Sequence, residues 1–144
     1  MDIETKVFVG QKAFIDKDGK ILVLKDPNYL TKDQKGLDFP GGRFRYGNEL
    51  VDELKREVTE ETGLEIEVGK PFFVWTNFNT KRTDNKIQVV LIGYFCKYKS
   101  GEVVISDEHV GYEWVDANNF QNWKDNTDYY KALEKYFELK KMDP

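Results

Sequence analysis

The stretch NELVDELKREVTEET, residues 48–62, constrains the fold most, because it is a helix set among strands. Val51, Leu54 and Val58 recur with helical periodicity, and Gly63 follows as a C-terminal stop. On either side the pattern changes. KVFVGQKAFID and KDGKILVLK precede it, and LEIEVGKPFFVWTNF and KIQVVLIGYFCKYK follow, all rich in β-branched and aromatic residues. One helix between strands and another at the end predict an α+β sandwich with a mixed sheet.

The Asp-Gly pair within Lys17–Gly19 reads as the turn between the first two strands. DPNYLTKDQKG then reads as a polar, partly basic loop, LDF as a short strand, and Pro40-Gly41-Gly42 as the turn before the helix. NTKRTDN is a polar loop, and GEVVIS and YEWV are shorter strands. In NTDYYKALEKYFELKK, Tyr130, Leu133 and Phe137 share one face behind an Asn126/Thr127 cap, so this is an amphipathic closing helix. With no repeat or Pro/Gly/Ser-rich linker, the 144 residues are expected to form one domain, 1–144.

Forty per cent hydrophobic and fifteen per cent aromatic residues exclude a disordered chain. A net charge of −4 argues against broad nucleic-acid binding, which needs basic surface to displace counterions. The apolar runs fall short of the roughly twenty residues of a membrane span, so no membrane partner is expected. MDIETKVFVG lacks the basic and apolar segments of a signal peptide. Cys96, the sole cysteine, sits in an apolar run and reads as a buried packing residue of a cytoplasmic protein.

The helix carries an electrostatic puzzle. At about 3.6 residues per turn, Glu57, Glu60 and Glu61 share a narrow arc beside the apolar one. Like charges at this spacing cost roughly 0.2–0.5 kcal/mol per pair, and the negative helix terminus adds roughly 0.3–1 kcal/mol for each anion. Either the arc is a solvated acidic face, relieved by Arg56 pairing with Glu60 at i,i+4, or a cation binds there. Mg²⁺ suits such a set, since it takes carboxylate oxygens and completes its octahedron with water and phosphate.

The segment from Gly42 to Leu64 resembles the Nudix box, a glycine, five residues, a glutamate, seven residues, then Arg-Glu-apolar-x-Glu-Glu-x-Gly-apolar. REVTEETGL matches the second half without a gap, through Arg56, Glu57, Val58, Glu60, Glu61, Gly63 and Leu64. Asn48 stands where the first glutamate belongs. It keeps a carbonyl oxygen but no charge, which leaves a catalytically weak nucleotide-binding or sensor module as the alternative reading.

The resemblance implies an α/β/α sandwich and Mg²⁺-dependent hydrolysis of a pyrophosphate bond in a nucleotide or nucleoside diphosphate derivative, with Mn²⁺ as a substitute ion. It implies Glu57, Glu60, Glu61 and Gly42 as metal-site residues, with Arg56 orienting the glutamates. Its partners would be a small-molecule nucleotide substrate and, in a homodimer, a second copy of the chain. Related sequences place a Glu-His pair shortly before a Tyr-x-Trp strand, which selects Glu108 of SDEHVGYEW as a base or further ligand, ahead of Asp107 and Glu113. His109 is a candidate proton shuttle but reads more readily as a local cap or packing residue. Arg43 and Arg45 are candidate phosphate contacts, as are Lys32, Lys35, Lys81 and Arg82. Phe44, Tyr46, Trp75 and Phe78 are candidate stacking residues, and Trp114 reads as core.

Overall fold

In a computed structural model the described residues are 5–79 and 86–142, the side chain of Asn79 excepted. Strands β1 (Thr5–Lys17) and β2 (Lys20–Leu30) are joined by a tight turn in which Asp18 and Gly19 take positive φ, 55° and 84°. That conformation matches the twist of a two-residue hairpin, and the Gly19 N–H donates to Asp16 Oδ1 at 2.8 Å. The two strands pair only at Asp16↔Ile21 and Lys17↔Lys20 before they splay apart. Strand β3 (Lys35–Asp38) pairs with β2, and β4 (Gly41–Arg43) with β1, so one short segment fills the gap.

Helix α1 (Leu50–Thr62) follows and ends at Gly63, whose φ of 76° is left-handed and whose N–H donates to the Thr59 carbonyl. The long strands β5 (Glu65–Asn79) and β6 (Lys86–Ser100) pair antiparallel, while β6 runs parallel to β1 from Thr5↔Lys86 to Asp16↔Lys97. The sheet is therefore mixed. Strand β7 (Gly111–Val115) pairs with β2, and a short 3₁₀ turn at Phe120–Trp123 leads into α2 (Asp128–Met142). The Tyr130 N–H donates to Thr127 Oγ1 at 3.3 Å, as the capping pattern predicts.

Alternation along the strands sends successive side chains to opposite faces. Phe14, Trp75, Leu91 and Phe39 pack with Tyr129, Leu133, Tyr136 and Phe137 of α2. Ala13, Ile15, Leu22, Ile66 and Cys96 pack with Leu54 and Val58 of α1. One helix covers each face, giving the α/β/α sandwich. No helix among the described residues is long and apolar enough to cross a membrane.

Four local expectations change. Gly41 and Gly42, read as part of a turn, pair with β1 as β4. The polar stretch 26–36 is mostly strand, because β2 runs on to Leu30 and β3 starts at Lys35. Ladder pairing outweighs polarity there, and only the turn at 31–34 stays irregular, its Thr31 N–H donating to the Gln34 carbonyl. GEVVIS forms no strand. Its amides at Val104 and Ser106 donate instead to the carbonyls of Thr62 and Glu61, at 2.9 and 3.0 Å, satisfying acceptors that the end of α1 leaves open. Trp114 is half-buried at the margin of the core, packed against the cluster beneath α1, with the Lys17 ammonium 5.8 Å above its ring.

Candidate active site

The segment filling the gap between β1 and β2 is the hub of the site. Asp38 closes β3 and is buried, its Oδ1 3.0 Å from the Lys12 ammonium of β1 and its Oδ2 3.0 Å from His109 Nε2. Burial alone would pull the Lys12 ammonium down in pKa, but the Asp38 and Glu61 charges outweigh it and hold the ammonium above its ordinary value. Burial would likewise raise the Asp38 carboxyl, yet Lys12 and His109 hold it below. His109 is raised in turn, the bond to Asp38 overcoming desolvation. Among the described residues its buried Nδ1 has no hydrogen-bond partner.

Three residues on, the Gly41 N–H donates to Glu61 Oε2 at 2.7 Å. Gly41 has φ of +142°, and a Cβ there would lie 1.9 Å from the Gln11 carbonyl oxygen. A Cβ on Gly42 would meet Glu57 Oε2 at 2.8 Å, so this position lets α1 bring its carboxylate against β4. Desolvation raises both acids, Glu61 to about 7 and Glu57 in the same direction, with Lys12 and Arg56 opposing.

Glu57 and Glu61 line a cleft of about 540 Å³ with Gly42, Arg43, Phe44, Arg45 and Glu108. The Arg43 guanidinium lies 4.3 Å from the Phe8 ring centroid. All these sequence-selected residues therefore meet in one place, drawn from β4 and the two residues after it, α1, and the segment before β7.

Glu60 and Arg56 sit beside that cleft rather than in it. The Glu60 side chain is 57% exposed and accepts from Arg56 at 2.7 Å, the i,i+4 pair expected of a solvated face. Arg56 also donates to Glu57 at 3.1 Å and to Glu53, which is buried. The Asn48 amide donates to the other Glu53 oxygen at 2.5 Å, and the Arg56 bond foremost holds the Glu53 carboxyl low. Asn48 thus holds Glu53, a buried acid in the first turn of α1.

The remaining candidates disperse. Asp107 is exposed outside the cleft lining, and Glu113 accepts from Trp123 Nε1 at 2.7 Å beside another hollow that Lys32 and Lys35 line. Trp75 is buried, Tyr46 is fully exposed, and Phe78 borders a third hollow of about 280 Å³. Lys81 and Arg82 lie outside the described residues.

Sequence reasoning passed over Lys12, Asp38, Asp26, Tyr29 and Glu53. A signal existed, since Lys12 and Asp38 are charges inside apolar strand patterns, where an unpaired charge is costly. Asp26, Asp38 and His109 offer ligand atoms within 4.8 Å of one another. The Lys12 ammonium lies 3.0 Å from Asp38 Oδ1, so a cation at this group would have to compete with a positive charge already in place.

A family model for the NUDIX domain matches residues 12–136. The ADP-ribose pyrophosphatase of Methanocaldococcus jannaschii is 30% identical over 132 residues, 92% of this chain and 74% of that protein. The CTP pyrophosphohydrolase of Escherichia coli is 41% identical over 59 residues, 40% of this chain and 42% of its own. The E. coli ORF135 protein in solution shares the fold at a TM-score of 0.73 and 24% identity, over 97% of this chain and 95% of that one. A MutT protein from Methanosarcina mazei does so at 0.70 and 22%, over 97% and 99%.

Proposed function

Since the chain belongs to the Nudix family and is a pyrophosphohydrolase of that family, we propose that it cleaves a nucleotide or nucleoside diphosphate derivative with Mg²⁺, in the cytoplasm, as one domain spanning residues 1–144. The carrying observation is the convergence of Glu57 and Glu61 with Arg43 and Arg45 on one cleft. Carboxylates repel a pyrophosphate and guanidiniums attract it, so a cation must join the two halves of such a site.

The donor set fits a hard divalent ion. It is all oxygen, and the bare Cα of Gly42 leaves Glu57 room at the cleft wall. Glu57 and Glu61 would hold Mg²⁺, with Glu60 joining them by turning from Arg56, and Gly42 contributing backbone. When bound, the ion would offset phosphate charge and acidify water. Arg56 orients the cluster through its bonds to Glu53, Glu57 and Glu60. Arg43 and Arg45 bind phosphate oxygens, Phe44 flanks the bound substrate, and Glu108 takes the proton of the attacking water.

The test is a Mg²⁺-supplemented hydrolysis screen over nucleoside triphosphates, dinucleoside polyphosphates, ADP-ribose and nucleotide sugars, with chromatography of both products. Cleavage within the pyrophosphate of at least one class is expected. No hydrolysis of any class in Mg²⁺ or Mn²⁺ would overturn the proposal.

A further inference from the structure

Residues 101–110 form neither helix nor strand, yet the stretch is tied down at definite points. The Ser106 N–H donates to the Glu61 carbonyl at 3.0 Å, the His109 N–H to the Ser106 carbonyl at 3.2 Å, and the Val110 N–H to the Lys25 carbonyl at 2.9 Å. Within 106–110 His109 is buried and Ser106 is half-buried, while Asp107, Glu108 and Val110 are exposed. Glu108 therefore depends for its place on the ties around it, and among the described residues the bond from His109 to Asp38 is the one made by a side chain.

Asp38 is itself held firmly. Its Oδ1 accepts from the Phe39 N–H at 2.8 Å and lies 3.0 Å from Lys12. Three residues on, the same segment fixes Glu61 through Gly41. Two acids far apart in sequence are thus located from one short stretch of backbone. A buried ionic trio is a poor way to gain stability, because well-packed apolar residues of similar volume usually do as well or better. What it supplies here is fixed geometry.

We propose that the His109–Asp38 bond is a clasp that sets Glu108 in the cleft that Glu57 and Glu61 also line, making His109 a positioning residue for the reaction. The inference rests on the role proposed for Glu108. A misplacement of about 1 Å can cost on the order of a hundredfold in rate, so a released Glu108 should lower kcat more than it changes KM.

The experiment compares His109→Asn with His109→Gln, each alone and combined with Glu108→Gln. The Gln amide nitrogen reaches about as far as the imidazole Nε2 and can keep the bond to Asp38, whereas the Asn amide falls short. Expected are a loss of about tenfold or more in kcat for His109→Asn with KM within about threefold, and near-parental kcat for His109→Gln. In the Glu108→Gln background His109→Asn should add less than about twofold, since it acts through the group already removed. Hydrogen exchange on the metal-free protein should quicken at 106–110 in the Asn variant alone, with α1 unchanged.

Equal losses in both backgrounds, or a Gln variant as impaired as Asn, would overturn the proposal. Unaltered exchange at 106–110 overturns the clasp by itself, whatever the kinetics. Parental turnover in Glu108→Gln removes Glu108 from the reaction and the positioning role with it, and a parent protein inert toward every nucleotide defeats the proposed function instead.

Discussion

The Lys12 ammonium lies 3.0 Å from Asp38 Oδ1, with side chains only 10% and 5% exposed. Removing one partner of such a pair leaves the other charged and dry. Asp38→Asn should cost roughly 3–5 kcal/mol, read by urea unfolding near neutral pH. The sign with pH follows from the lowered Asp38 pKa. Its stabilisation is full above the unfolded-state value of 3.8 and disappears as pH falls through the folded value. The parent should therefore lose stability below about pH 4 more steeply than Asp38→Asn.

Gly41 and Gly42 should respond differently to the same change. Gly41→Ala places a Cβ against fixed backbone at a positive φ and should destabilise by about 3 kcal/mol or more in thermal unfolding. Gly42→Ala meets the mobile end of Glu57. It should unfold within about 1 kcal/mol of the parent while turning over roughly tenfold slower or worse, because the carboxylate is pushed aside.

Metal dependence should concentrate in Glu57 and Glu61. EDTA should abolish activity and Mg²⁺ restore it. Glu57→Gln and Glu61→Gln should each lower kcat roughly a hundredfold or more, about 2.7 kcal/mol in barrier height, while retaining the parental circular-dichroism spectrum. Manganese binding followed by electron paramagnetic resonance should weaken in the same variants.

Asn48→Glu restores the residue of the family pattern, but here the Asn48 amide donates to buried Glu53. A second carboxylate there replaces a donor with a like charge. The variant should lose roughly 1–3 kcal/mol of stability, and its magnesium requirement should not fall. A lower half-saturating Mg²⁺ concentration would place residue 48 in the metal site after all.

Cys96 is buried between the sheet and α1, and desolvation pushes its thiol up to about 12. The thiolate is the reactive form, so folded protein at pH 8 should resist thiol reagents that label it promptly in denaturant. Labelling at the same rate in both conditions would contradict its burial.

The elements were legible wherever local chemistry decides them. Gly63 stops α1, Asp18-Gly19 turns the first hairpin, and the spacing of Tyr130, Leu133 and Phe137 predicts the buried face of α2. Glu57 and Glu61 were legible as well, because the pattern that carries them lies on one helix. What stayed hidden depends on contacts across the chain. The Asp38–His109 bond joins residues 71 positions apart, and no window of sequence relates them. The Asn48–Glu53 bond is local, five residues apart, yet it too stayed hidden, because it forms only when the first turn of α1 turns Glu53 inward. GEVVIS had strand composition, but the open carbonyls of α1 claimed its amides.

The parallel pairing of β1 with β6 also sets an order of events during synthesis. Thr5 is made first and its partner Lys86 some eighty residues later. At about 5–20 residues per second, the first strand leaves the ribosome roughly four to sixteen seconds before its central neighbour exists. Through that interval it has only β2 and β4 to pair with, and half of its hydrogen-bonding edge stays open to chaperones or to other nascent chains.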